Sequence, residues 1–473
     1  MAIKFQLDQV YSRIRFENPW WEQGSIDSYY EGLTRRKYFH LLFPHIIQRS
    51  IKRALILMGP RRVGKTVLLY QSIQQLIDDG VPPHKINYFS IETPLFNGIS
   101  LEELVNISLK LNKLSTDDEL YFFFDEIQYL KDWERHLKSL VDSYHNFKFI
   151  VSGSAAAALK LLSQESGAGR FTEFALPPLT FHEYLFLTGH DNLFEEVREV
   201  KEGSDATVLN MKVINQKFIE YINYGGYPEL SLSEEMKTNP GRYIRNDIID
   251  KVLLRDLPSL YGINDIQELN ALFTYLAYHS GDELSLDELS QNSGVAKNTI
   301  KKYITYLEAA FLIKVIHRVD HNAKKFKRAN FYKIYLTNCS IRSALFSPLE
   351  PTDNAMGNMV ETAVFSQWHH NQNKPLFYAR WKSGEVDMVS LSQMAQQKPE
   401  WCIELKWSNR YATKPKELKS LISFCKKNNL TKTKVTTIDL FRTIEVDGIV
   451  IEFEPASYYC YKVGKNIVDQ DLY

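Results

Sequence analysis

Short runs of apolar residues recur along the first 190 positions, separated by stretches with helical spacing. Ala54–Met58, Ile86–Ile91, Leu120–Asp125 and Phe147–Val151 read as strands buried on both faces. The segment from Thr66, Leu101–Leu111 and Trp133–Ser143 read as the helices between them. This alternation predicts an α/β fold, with a parallel sheet covered by helices on both faces. Upstream, Arg35-Arg36-Lys37 is expected to open an amphipathic helix through about Gln48. The cluster Asn18-Pro19-Trp20-Trp21 is expected to pack on a domain surface, with ligand stacking as the alternative. Leu176 to Leu185 reads as the end of a strand and the start of a helix, with Thr180 as N-cap and Glu183 completing a capping box.

Beyond position 190 the pattern changes. Residues 191–265 are mainly helical in spacing, interrupted at Gly225-Gly226-Tyr227-Pro228, and read as a lid. The stretch Leu286 to Leu307 fits helix–turn–helix spacing, with Gly294 in the turn and Ile300, Ile304 and Leu307 as the buried stripe of the second helix. A hairpin follows, which makes 266–350 a winged-helix pattern. In 351–473 a helix from Met356 precedes a hairpin over Leu376–Ser390 and a third strand over Trp401–Lys406.

Composition narrows the class. The 473 residues suffice for two to four domains, and 44% hydrophobic with 24% charged residues is ordinary for a globular chain. Net charge is zero, so any basic surface must be local. Cys339, Cys402, Cys425 and Cys460 are widely spaced and suggest neither a zinc site nor a disulfide framework. There is no apolar signal core and no run of membrane-spanning length, so a cytoplasmic protein without a membrane partner is expected.

The densest chemistry lies between the first strand and its helix. Gly59-Pro60-Arg61-Arg62-Val63-Gly64-Lys65-Thr66 is a phosphate-binding loop in the strand–helix context that its chemistry requires. Glycines let backbone N–H groups close on phosphate oxygens, and the helix N-terminus adds positive potential. Lys65 is placed to reach the β- and γ-phosphates of ATP, and Thr66 to ligate Mg²⁺. The strand ending in Asp125-Glu126 supplies the other half: Asp125 for the metal, Glu126 for the attacking water. After the Phe147–Val151 strand, Ser152 and Ser154 stand where a γ-phosphate sensor belongs, with a plain Ser-Gly turn as an equal alternative. Arg170, after a Gly-rich stretch, reads as a finger to a neighbour's γ-phosphate in a homo-oligomer, as a cis sensor, or as a surface arginine.

Two further groups of residues carry chemistry. Lys297, Asn298, Lys301 and Lys302 lie on the outward side of the second helix of the helix–turn–helix, and Lys324, Lys325, Lys327 and Arg328 crowd the hairpin. Both sets suit DNA phosphates, against the alternative of a scaffold with a solvated basic loop. In the tail, Glu361, Asp387, Glu404 and Lys406 form an ordered set. Asp387 and Glu404, with the Leu405 carbonyl, suit Mg²⁺ or Mn²⁺; Lys406 would position the water attacking a phosphodiester, and Glu361 a second metal or a metal-bound water.

Taken together these residues resemble the prokaryotic AAA-type ATPases that pair an N-terminal P-loop domain with a C-terminal domain of unknown function related to PD-(D/E)XK restriction-endonuclease-like folds. The matching stretches include Asn18-Pro-Trp-Trp, the Gly59–Thr66 loop, Phe124-Asp-Glu-Ile-Gln, Ser152-Gly-Ser, Gly169-Arg170, Pro178-Leu-Thr-Phe-His-Glu-Tyr, Gly226-Tyr-Pro-Glu, Gly384-Glu-Val-Asp and Glu404-Leu-Lys. The resemblance implies a lead-in over 1–50, an ATPase domain over 51–190, a helical lid over 191–265, a winged helix over 266–350 and a nuclease-like domain over 351–473. It implies ATP binding and hydrolysis coupled to DNA binding or processing. A nucleotide-dependent signalling switch and a DNA-binding regulator with an inactive nuclease-like fold are the alternatives.

Overall fold

The computed structural model describes residues 2–153, 169–194, 207–326, 331–368, 374–392 and 397–469. They fall into two compact units, 1–177 and 178–473. Among the described residues no helix is long and apolar enough to cross a membrane.

The first unit is built on five strands: β1 (Ala54–Met58), β2 (Ile86–Ser90), β3 (Leu120–Asp125), β4 (Phe147–Gly153) and β5 (Phe171–Ala175). They pair in parallel in the order β2-β3-β4-β1-β5. β1 and β3 are buried along their whole length, which is why they read as unbroken apolar runs. Phe122, Phe123 and Phe124 are fully buried, and Phe122 and Phe124 stack 6.3 Å apart on one face. β4 outruns its apolar stretch because Ser152 and Gly153 continue the ladder beside Leu57 and Met58. Parallel pairing brings the ends of β1, β3 and β4 to one edge of the sheet. Asp125 is opposite Ser90, and Ser152 opposite Leu57.

The N-terminal segment closes the edge strand β2. The Asn18 carboxamide donates to the Tyr88 carbonyl at 2.8 Å and accepts from the Tyr88 amide at 2.7 Å, continuing the ladder with a side chain. Both indole N–H groups, of Trp20 and Trp21, donate to the Ile86 carbonyl. The tryptophan pair therefore seals a sheet edge that would otherwise present unpaired backbone groups. The helix expected from Arg35 starts at Phe39 and runs to Ile47, because Arg35 and Arg36 turn their guanidinium groups to Gln75 and to the Val63 and Pro177 carbonyls.

The second unit carries nine more strands: β6 (Glu283–Ser285), β7 (Ile313–Val319), β8 (Phe331–Leu336), β9 (Leu376–Trp381), β10 (Gly384–Leu391), β11 (Pro399–Glu404), β12 (Lys432–Thr437), β13 (Arg442–Val446) and β14 (Ile449–Pro455). They form one mixed sheet in the order β13-β14-β12-β11-β10-β9-β7-β8-β6. The sheet crosses position 350 without a break, since β7 pairs in parallel with β9 from His317 to Val319. Helices Leu286–Ser293 and Lys297–Ala309 meet at Gly294, whose φ of 72° makes the turn between them. Helix Met356–Trp368 is buried on nearly every side, sharing an aromatic core with Phe181, Tyr221 and Tyr459. Thr180 caps the helix Phe181–Leu187 by accepting from the Glu183 amide at 3.0 Å.

Asn18→Ala removes three buried hydrogen bonds, to Ile14 and to both backbone groups of Tyr88. It should lower the stability of the first unit by about 2–4 kcal/mol in a denaturant titration, since each buried partner left unmade costs roughly 1–3 kcal/mol. An unchanged midpoint would show that the segment does not brace β2.

Candidate functional site

The loop after β1 is shaped by two constraints. A Cβ on Gly59 would stand 2.2 Å from the Leu176 carbonyl oxygen, so only glycine fits there. Gly64 has φ 93° and starts the helix Lys65–Asp78 from a left-handed conformation. Pro60 and Val63 are buried between them, while Arg62, at φ 65°, is exposed and Arg61 donates to the Tyr129 hydroxyl at 3.0 Å. Lys65 is only 5% exposed, and its ammonium donates to the Gly59 and Pro60 carbonyls at 3.0 and 2.8 Å. This holds a cation at the mouth of the loop.

Asp125 is the meeting point of four elements. Its Oδ2 accepts from the Thr66 hydroxyl at 2.7 Å and from the Tyr88 hydroxyl at 2.9 Å. Its Oδ1 accepts from the Ser152 hydroxyl and from the Glu126 amide. Burial, together with the neighbouring Glu126 charge, pushes the Asp125 carboxyl above its ordinary range in spite of the three hydroxyl donors. A cation placed against it would be stabilised by the same charge. Thr66 Oγ1 and Asp125 Oδ2, already in contact, form the hydroxyl–carboxylate pair that suits Mg²⁺. Glu126 has φ 55°, a conformation rare for a residue with a side chain, and swings out of the strand line into a cavity of about 950 Å³. Thr66, Asp125 and Glu126 form one wall of that cavity, and Arg13, Arg15 and Tyr30 another. Its volume is that of a small-molecule site.

The other expected residues of this region are distributed unevenly. The Ser152 hydroxyl is committed to Asp125 and accepts from the Glu126 amide at 3.1 Å, so it orders the two acids. Ser154 lies outside the described residues. Arg170 is not brought to the loop. Its carbonyl accepts from the Ala54 amide where β1 begins, and its guanidinium pairs with Asp142 at 3.0 Å. The loop leaves the far end of β1, roughly 13 Å away at about 3.3 Å per residue. The cis-sensor reading of Arg170 therefore does not match its placement.

Several contributors carry little signal in the sequence. Arg36 is 5% exposed and braces the loop from behind, donating to the Val63 carbonyl at 2.9 Å and the Pro177 carbonyl at 3.0 Å. In the sequence it is one of three basic residues at the expected start of a helix. Tyr88 is hidden there as an ordinary strand aromatic. Its ring and that of Tyr30 flank Tyr70, at 4.8 and 4.2 Å between centroids, forming an aromatic side to the cavity.

In the second unit, Lys297, Asn298, Lys301 and Lys302 are all exposed along the first turns of helix Lys297–Ala309, and Lys297 pairs with Asp287. Lys324 and Lys325 are exposed beyond β7, with Lys325 over the Phe377 ring at 4.6 Å. Lys327 and Arg328 lie outside the described residues.

The tail residues do converge. Lys406 pairs with Glu404 at 2.8 Å and with Asp387 at 3.1 Å, while Glu361 lies on the buried helix beside them. The Leu405 amide, at 2.8 Å, donates to Asp387. Three further participants join them. Lys333 of β8 lies 2.9 Å from Glu361, 2.7 Å from Glu385 and 3.8 Å from Asp387, and the Tyr335 hydroxyl donates to Glu361. A lysine at a buried strand position was the available signal. Burial and the Asp387 charge push Glu404 up to about 8, with Lys406 opposing. The Asp387 carboxyl resists its own burial because Lys406 and Lys333 hold it below the usual range. These residues do not fit a divalent metal as arranged. Ammonium groups already stand between the carboxylates, and among the described residues no group of three or more His, Cys, Asp or Glu side chains is disposed to hold an ion.

Comparison with known proteins agrees with the geometry of the first unit. Residues 51–185 match the family model described as an AAA domain, which makes this stretch a P-loop ATPase-like, nucleotide-binding module. Residues 215–353 match a domain of unknown function. An uncharacterized protein of Methanocaldococcus jannaschii is 27% identical over 77% of this chain and 79% of its own length. An uncharacterized protein of Haemophilus influenzae is 25% identical over 69% and 77%. Among solved structures, the Aeropyrum pernix ORC2 protein in its ADPNP–ADP complexes aligns over 70% of this chain and 95% of its own, at 13% identity and a TM-score of 0.38.

Arg36→Ala removes a buried charged donor from two carbonyls that fix the loop. Hydrogen bonds to charged groups are worth about 1.5–3 kcal/mol, so ATP affinity should fall by roughly 10- to 100-fold in a fluorescent-nucleotide titration, with the fold retained by circular dichroism. Wild-type affinity in Arg36→Ala would mean that the loop holds its shape unaided.

Proposed function

We propose that this chain is a Mg²⁺-dependent ATP hydrolase whose nucleotide state governs DNA binding through a basic winged-helix segment. The observation that carries the hydrolase reading is the 2.7 Å contact between Thr66 and Asp125 beside a buried Lys65. Lys65 leaves two loop carbonyls for the β- and γ-phosphates, which are stronger acceptors for its charge. Thr66 and Asp125 would hold Mg²⁺, which would supply the charge that neutralises the phosphates. Glu126 takes the proton of the attacking water, and Ser152 keeps both acids in register. Arg170, remote from its own loop, is left to act on a second copy of the chain.

The DNA reading rests on the exposed Lys301, Lys302, Lys324 and Lys325, which among the described residues are not paired with carboxylates in the way that Lys297 is. Metal-dependent cleavage by Asp387, Glu404, Lys406 and Glu361 is not part of the proposal, because lysines occupy the space between those acids. The tail serves this reading as a binding and scaffolding module.

Lys65→Ala should abolish ATP binding and turnover. Glu126→Gln should bind ATP while losing at least about 10²-fold in phosphate release, the usual worth of a positioned base. Glu126→Gln turning over at the wild-type rate would remove Glu126 from the mechanism. For the DNA arm, replacing Lys301, Lys302, Lys324 and Lys325 by Gln should flatten the log–log salt dependence of duplex binding by about 0.9 for each phosphate no longer neutralised. An unchanged slope would place the DNA surface elsewhere.

A further inference from the structure

The second unit buries an unusual amount of charge in one place. Four carboxylates, from Glu361, Glu385, Asp387 and Glu404, face two lysines, Lys333 and Lys406. They come from four separate stretches: Lys333 from β8, Glu361 from helix Met356–Trp368, Glu385 and Asp387 from β10, Glu404 and Lys406 from the end of β11. Lys406 serves Asp387 and Glu404 on one side. Lys333 stands on the other, only 4% exposed, with Glu361, Glu385 and Asp387 on three sides and the Tyr378 ring 5.6 Å from its ammonium. A buried ammonium has three N–H groups and needs acceptors for all of them. Here two of them find Glu361 and Glu385, from two elements, with the Asp387 charge 3.8 Å away, the same gathering that a bound cation would impose. Carboxylates as little exposed as those of Glu361 and Asp387 need positive charge or protons to stand this close together.

We propose that Lys333 is the resident cation of this centre: its ammonium occupies the place that a divalent metal would need, and the wild-type centre therefore takes no metal. The cluster is a structural joint between β8, the helix Met356–Trp368 and the strands β10 and β11 of the same sheet. Removing the ammonium while keeping the side-chain bulk leaves Glu361 without a cation and takes one of two from Glu385 and Asp387, which keep Arg380 and Lys406; the oxygens that Lys333 held then face one another as a site for a hard divalent ion. Asp387 is the position shared by Lys333 and Lys406, so it belongs to either version of the site. The inference rests on the tail alone and does not depend on ATP hydrolysis by the first unit.

The test uses full-length, nucleotide-free protein and Mn²⁺ as the probe. Wild-type melting, and the electron paramagnetic resonance signal of free Mn²⁺, should show no binding that Asp387→Ala removes. Lys333→Met should gain saturable Mn²⁺ binding at least about tenfold tighter than any in the wild type, with a rise in melting temperature by ligand linkage. The double variant Lys333→Met, Asp387→Ala should lose both. If Lys333→Met folds only when Mn²⁺ is present, that too supports the assignment. It is overturned if wild-type protein binds Mn²⁺ in an Asp387-dependent way. It is equally overturned if Lys333→Met folds and gains no Mn²⁺ response, or fails to fold with Mn²⁺ as well as without.

Discussion

A carboxylate buried at the end of a strand must be surrounded by donors, and the first unit is arranged around that demand. Asp125 is 2% exposed, and its oxygens are met by hydroxyls from three different elements: Thr66 from the loop helix, Tyr88 from β2 and Ser152 from β4. These bonds do not cancel the cost of burial, which still holds the carboxyl above its ordinary range. The residual demand for positive charge is what suits the edge of the sheet to a cation and a phosphate chain. Lys65 and the helix N-terminus supply part of it, and Mg²⁺ with a nucleotide would supply the remainder.

The N-terminal segment is part of this arrangement. Glu17 is buried against the end of β2, accepting from the Ser90 amide at 3.0 Å and the Thr93 hydroxyl at 2.9 Å, and is paired with Arg13. Asn18 and the two tryptophans then close the strand edge. The stretch that seals the sheet thus also walls the cavity in front of Asp125 and Glu126. The second unit applies the same rule with lysines in place of hydroxyls. There the acids are more numerous, and two ammonium groups from different strands hold them together.

Much of the first unit is legible in the sequence because parallel strands buried on both faces leave continuous apolar runs, and because the loop's glycines and lysine sit at fixed spacing. Leu120–Asp125 can be read to its last residue, and the acids at its end stand out as a pair. Long-range geometry is what the pattern does not carry. Arg170 follows a Gly-rich stretch, yet pairing of Ala54 with Phe171 puts it at the wrong end of the sheet to serve its own loop. Arg36 and Tyr88 act through contacts with residues 27 and 37 positions away, which no local pattern encodes. In the tail, strand spacing groups Asp387, Glu404 and Lys406 as the structure does. Lys333 stays hidden because it arrives from β8, 54 positions upstream of Asp387. Its presence changes a metal-site pattern into an ion-paired one.

The most direct check on the central claim is where nucleotide is held. Hydrogen–deuterium exchange with and without Mg²⁺ and ATP reports protection along the whole chain in one measurement. Peptides covering Gly59–Thr66 and Phe124–Glu126 should gain protection on ATP addition, with less change around Glu361 and Asp387. Protection that appears only in the second unit, or no protection at saturating ATP, would contradict a nucleotide site at the edge of the parallel sheet.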